Sequence, residues 1–155
     1  MTVTEQRDET ALTAHERLVI EAELTRLSQH FVYFMDCGDF ESMIGLFTPD
    51  AVFDRAGIVH HGHEELREGM RDRPKATTRH LLANFYFRNV QQDSAEGVVC
   101  GNVYHGPPSE NGEQVNYATE QGRVVEFTDT YVRTSDGWRY SSRLARPILA
   151  PKVWP

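Results

Sequence analysis

From Ile20 onward, apolar residues recur at alternating spacings of four and three: Ile20, Leu24, Leu27, Phe31 and Phe34. That spacing lines one side of an α-helix and predicts an amphipathic helix with a core-facing stripe. Its start is marked by Thr13-Ala-His-Glu16, a capping box in which Thr13 bonds the backbone of Glu16 and Glu16 reaches back. Its end falls near Asp36, because Gly38 can take the left-handed conformation that closes a helix. Asp39 then caps a shorter helix with Phe40, Met43, Ile44 and Phe47 on one face, and Thr48-Pro-Asp50 reads as the turn that ends it. Residues 51–54 and 57–61 are expected to form a short hairpin. A third helix opens at Gly62 and stops before Pro74, whose ring cannot continue it.

Beyond Thr77 the apolar period shortens to two, and strands are predicted over 77–90, 97–105, 117–133 and 138–146. The runs QQDSAEG, GPPSENGEQ and SDG separate them as turns and loops. Helices first and an antiparallel meander afterwards predict an α+β fold, in which a curved sheet wraps around the first helix and leaves a pocket at its open end. The first of these strands poses a question. Leu81, Ala83, Phe85 and Phe87 alternate with His80, Leu82, Asn84 and Tyr86, so both faces are largely apolar and little exposure to water is expected. An imidazole in such a strand must find hydrogen-bond partners. Either it bonds a backbone carbonyl in the core, or it faces a cavity where a proton is moved.

Composition narrows the field. The chain has 155 residues, enough for one domain with a sizeable core. Residues 1–12 read as a mobile tail, 13–146 as a single domain and 147–155 as an apolar, proline-punctuated tail that covers the pocket or contacts a neighbouring subunit. Net charge is −7, with no basic stripe, so neither nucleic acid nor an anionic membrane is an expected partner. No run approaches the length of a membrane span, and the polar N-terminus does not resemble a signal peptide. Cys37 and Cys100 lack metal or redox spacing and read as reduced thiols of a cytoplasmic protein.

Four segments then carry a resemblance: FVYFMDCGDFESMIGLFTPDAVFD, HHGHEELREGM, TTRHLLANF and TYVRTSDGWRYSSR. In order and spacing they resemble the SnoaL-like family of the nuclear transport factor two-like superfamily, over roughly residues 14–146. The resemblance implies a cone-shaped curved antiparallel sheet around the N-terminal helices, a homodimer or homotrimer, and chemistry without a cofactor. At chemically active positions the sequence is most similar to scytalone dehydratase-like enzymes. By that similarity MDCGDFE places a catalytic aspartate at Asp36, TTRH places a catalytic histidine at His80, and His105 is the candidate for a second histidine. The family's two tyrosines would fall at Met35 and Arg55, and its late-strand Ser and Asn near Glu126 and Thr128; Tyr33 is a candidate to stand in for one tyrosine.

A His–Asp pair suits proton abstraction beside a carbonyl, since histidine exchanges protons near neutrality and an aspartate fixes its tautomer. The pair thus implies a dehydratase acting on a small apolar cyclic or polycyclic hydroxy-ketone, with Tyr33 and His105 binding substrate. An isomerase or cyclase on an enolisable ketone would use the same pair, and a non-catalytic small-molecule-binding domain would need neither residue. Each residue also has a plainer reading: Asp36 as a solvated helix-end residue, His80 as a core histidine, and His105 as a strand-end residue. His60, His61 and His63 invite a metal, but Gly62 interrupts the run and should make the rings diverge, so no metal site is expected.

Overall fold

The computed structural model describes residues 11–109, 111–117 and 122–151. Helix α1 spans Ala14–Cys37 and carries both ends foreseen from its sequence. The Thr13–Glu16 capping box is complete, and Gly38 sits at φ 74°, its N–H turned back on the last turn. Ile20, Leu24, Leu27, Phe31, Val32 and Met35 are the buried stripe. Helix α2, Phe40–Ile44, is held by Asp39, whose side chain accepts from the Ser42 N–H at 3.1 Å.

The next strand begins earlier than its sequence suggests. Strand β1 runs Phe47–Arg55, so Thr48-Pro-Asp50 is extended rather than a helix-ending turn. Phe47 accounts for the difference: it is 2% exposed and packs on Phe31, Phe53 and Tyr140 in the core instead of extending the α2 face. Pro49 is tolerated because pairing with the neighbouring strand is irregular between Phe47 and Val52. Strand β2, Ile58–His61, closes a hairpin with β1, and helix α3 covers Gly62–Arg71.

Four long strands complete the sheet: β3 Thr77–Arg88, β4 Ser94–Gly106, β5 Gly122–Thr134 and β6 Gly137–Leu149. The sheet order is β2-β1-β6-β5-β4-β3. It is curved and unclosed, an α+β fold as expected, but not wholly antiparallel, because β1 and β6 pair in parallel. Strand β6 also runs past residue 146, so Pro147–Leu149 belong to the sheet; Ile148 and Leu149 are exposed, and residues 152–155 of the expected tail lie outside the described segment, as do residues 1–10 of the N-terminal one.

Strand β3 corrects a second expectation. It is an edge strand, with Leu81 59% and Tyr86 64% exposed, not one shielded on both faces. Its register with β4 shifts between Ala83 and Tyr86, and Asn84 takes φ 51° at that point. Such a bulge inserts a residue and reverses the facing of the residues beyond it. Thr78, His80 and Leu82 therefore face inward before it, and Phe85 and Phe87 after it. The inner row thus passes from one nominal face to the other at the bulge, while Leu81, Ala83 and Tyr86 face out.

Helix α1 packs against β3 and β6. It is tied to β6 by Trp138 Nε1 donating to Glu23 at 3.0 Å and Tyr140 Oη donating to Ser28 Oγ at 3.2 Å. This brings the C-terminal turn of α1 alongside the first residues of β3.

Candidate active site

That contact joins the two residues singled out from sequence. Asp36, in the last turn of α1, places Oδ1 2.6 Å from His80 Nδ1. The same oxygen accepts from Thr78 Oγ1 at 2.8 Å, while Oδ2 accepts the backbone N–H of His80 at 2.9 Å. One carboxylate thus grips both the backbone and the ring of the histidine. The side chains of Asp36 and His80 are 12% and 9% exposed. Burial raises the Asp36 pKa, but the hydrogen bond and charge of His80, with the backbone and Thr78 bonds, outweigh it and hold the carboxyl below its ordinary range. An ionised carboxylate only accepts, so Nδ1 is the donor, and the neutral form of the ring has its lone pair on Nε2.

His80 forms part of the wall of a cavity of about 640 Å³ at one end of the sheet. Phe31 and Met35 of α1, Phe53 of β1, Val103 of β4, and Val125 and Phe127 of β5 give it an apolar lining. Asp36 is not on that wall; it lines an adjoining hollow with Thr77, Thr78 and Cys37. His80 lines the cavity and Asp36 the hollow, while Met35, Arg73, Pro74 and Ala76 border both.

The cavity also holds charge that sequence reasoning did not place there. Arg55, Arg73 and Arg123 line it, together with His105. Burial lowers the pKa of each arginine, and the charge of Arg55 lowers those of Arg73 and Arg123 further. A guanidinium remains protonated regardless, so these are partly buried positive charges. His105 is pushed down to about 4, first by burial and then by Arg123, Arg73 and His80. It is therefore a neutral ring at neutral pH, with Nε2 3.5 Å from Arg123 Nη2.

Of the other sequence candidates, Tyr33 is not brought to the cavity. It lies two residues from Phe31, more than half a turn around the helix, and is 64% exposed with its ring against Phe34. Met35 occupies the inward position instead, and Arg55 lines the cavity where the family pattern has a tyrosine. Glu126 and Thr128 fall on the outer row of β5, whereas Arg123, Val125 and Phe127 face in. The alternation of Val125, Phe127, Asp129 and Tyr131, extended back by two, is the signal that would have found Arg123; for Arg73, in the turn before Pro74, there is none.

The three neighbouring histidines separate. His60 is buried under α3, His61 is exposed, and His63 Nε2 lies 3.0 Å from the carbonyl of Phe47. Among the described residues no group of His, Cys, Asp and Glu has the arrangement of a metal site.

Beneath the cavity lies a buried ion pair. Asp129 receives Arg143 Nε at 2.8 Å and Nη2 at 3.0 Å, and Tyr131 Oη at 2.8 Å. Arg143 is 0% exposed, its guanidinium 4.1 Å from the Phe31 ring centroid and 4.4 Å from that of Phe127. The two cavity-lining rings therefore rest on a buried cation.

An open curved sheet folded over an N-terminal helix is the architecture of nuclear transport factor two-like proteins. Within that class the chain belongs to the SnoaL-like domain family, whose profile matches residues 16–144. It is similar in structure to a proposed dehydratase of the nuclear transport factor two-like family from Streptomyces avermitilis, with 25% identity, a TM-score of 0.69, and coverage of 85% of this chain and 98% of the other. A proposed scytalone dehydratase from Novosphingobium aromaticivorans shares 15% identity at a TM-score of 0.73, covering 92% and 99% of the two chains. A hexachlorocyclohexane dehydrochlorinase shares 16% identity at a TM-score of 0.70, covering 92% and 97%. No match was found among curated proteins. Among the described residues no helix is long and apolar enough to cross a membrane.

Proposed function

We propose that this protein is a lyase that eliminates water from a small cyclic or polycyclic hydroxy-ketone, using His80 as general base and then general acid, and no cofactor. The observation that carries the proposal is the 2.6 Å contact between Asp36 Oδ1 and His80 Nδ1, with the ring in the wall of an apolar cavity. His80 Nε2 takes the proton from the carbon beside the carbonyl, and electrons move into the enolate. The bond to the β-hydroxyl then breaks as the imidazolium returns that proton to the departing oxygen, releasing water. Asp36 stabilises the imidazolium between the two steps and holds the ring from turning. The SnoaL-like assignment and a neighbour described as a dehydratase support the same reaction class.

The test is a panel of cyclic ketones and β-hydroxy-ketones incubated with the protein in deuterated water and followed by mass spectrometry and NMR. The wild type should give an α,β-unsaturated ketone with the loss of one water. His80→Ala should lower the rate about 10²–10⁴-fold, and Asp36→Asn by a comparable factor. Deuterium incorporation without loss of water would instead make the reaction an isomerisation or cyclisation run by the same pair. Full activity in both variants would end the proposal.

A further inference from the structure

Three guanidiniums reach the cavity from separate parts of the chain: Arg55 at the end of β1, Arg73 beyond the C-terminus of α3, and Arg123 at the start of β5. No carboxylate of the described residues lines the same walls. Asp36 borders the adjoining hollow with Arg73, whose charge it feels, but its oxygens are already engaged by Thr78 and by the backbone and ring of His80. Among the described residues the guanidiniums of Arg55 and Arg73 have no hydrogen bond or ion pair. The chain as a whole carries −7, so this positive enclosure does not follow from general composition. Partly buried cations that no carboxylate bonds are costly, as Arg55 and Arg73 are here, and a planar guanidinium is shaped to receive a carboxylate through two parallel hydrogen bonds. The remaining walls, Phe31, Phe53 and Phe127 among them, suit a ring.

We infer that the cavity takes a cyclic carboxylic acid, its carboxylate held by Arg55 and Arg73 with Arg123 adding to the field, and its ring against the phenylalanines. The inference rests on the reading of this cavity as the substrate site and narrows the substrate from an apolar molecule to an acidic one.

The test compares binding of 2-naphthoate and its neutral isostere 2-naphthamide by calorimetry or NMR, without turnover. The acid should bind about tenfold or more tightly than the amide. That preference should shrink in Arg55→Met and in Arg73→Met, fall to about one in the double variant, and survive in part in Arg73→Lys. It should persist in His80→Ala, so failure of the proton-transfer reading and failure of this one are separable: activity in His80→Ala defeats the first and leaves the acid preference intact. Added salt should weaken naphthoate binding and leave naphthamide unchanged, a comparison that needs only the wild type should a variant fail to fold. The inference is overturned if the amide binds as well as the acid or neither binds at millimolar concentration. It is equally overturned if the preference outlasts the double variant, vanishes in His80→Ala, or ignores salt.

Discussion

Asp129→Asn tests how the cavity floor is held. Asparagine keeps the shape of aspartate but removes its charge, leaving Arg143, which is 0% exposed, as a cation without a counter-ion. The wild-type pair is bidentate at 2.8 and 3.0 Å, with Tyr131 adding a third bond to the carboxylate at 2.8 Å. Arg143 Nη1 has no partner, so no spare acceptor is at hand to absorb the loss. Breaking a buried pair from one side costs about 3–5 kcal/mol, well above the roughly 0–1 kcal/mol of a surface pair such as Arg88–Glu96. For a chain of this size that lowers Tm by about 6–20 °C. Calorimetry and urea unfolding would read it directly. Replacing both partners, as Asp129→Leu with Arg143→Met, removes the stranded charge and should be less damaging than Asp129→Asn alone. The reasoning is refuted if Asp129→Asn stays within about 1 kcal/mol of the wild type, or if the double replacement is the worse of the two.

Two further outcomes rest on particular contacts. His105 has a folded-state pKa of about 4 against about 6.5 in an unfolded chain. Between those values the unfolded chain binds a proton that the folded chain refuses, so the stability contributed by a neutral His105 is complete above pH 6.5 and is lost as pH falls toward 4. His105→Leu should therefore flatten the Tm–pH curve across that window, and an unchanged slope would contradict the assignment. Gly69 lies in α3, where alanine would ordinarily gain about 1 kcal/mol of helix propensity. A Cβ there, however, falls within the His60 ring. Overpacking of about 1–3 kcal/mol should prevail, so Gly69→Ala is expected to unfold at lower urea than the wild type, with His60→Ala restoring part of the loss.

The sequence made most of the scaffold legible because its signals are local. A capping box, a stripe of apolar residues and Gly38 define α1 without reference to anything distant. The errors arose where tertiary contacts override local pattern. Phe47 leaves its helix-like spacing for an aromatic core contact, and Asn84 hides a bulge that carries the inner row from one apparent face to the other. At the site, His80 and Asp36 could be named because family spacing links them across 44 residues of chain. Arg73 could not, since a turn residue before a proline carries no periodicity to show which way it points. Tyr33 was misplaced by the reverse error, apolar neighbours being taken for burial. The inward row Val125, Phe127, Asp129 and Tyr131 was readable, but its polar members look like solvent-facing interruptions until Arg143 is placed opposite.

The position of Asp36 gives the two charge systems a common logic. A carboxylate set inside a cavity with Arg55, Arg73 and Arg123 would be drawn into an ion pair with one of them, and its effect on the histidine would fall. The Asp36 oxygens are instead engaged by Thr78, by the His80 backbone and by Nδ1, so it bonds the histidine and none of the three arginines directly. The guanidiniums are then left to meet negative charge brought by a ligand or formed on its oxygen during enolisation, where fixed donors act most strongly in a water-poor enclosure. On this arrangement proton transfer and anion recognition are separable. His80→Ala should abolish exchange while keeping preference for an acid, and Arg55→Met or Arg73→Met should raise KM for an acidic substrate far more than for its neutral analogue. A loss that fell equally on both substrates would show that the arginines support the fold of the cavity and not the charge of its occupant.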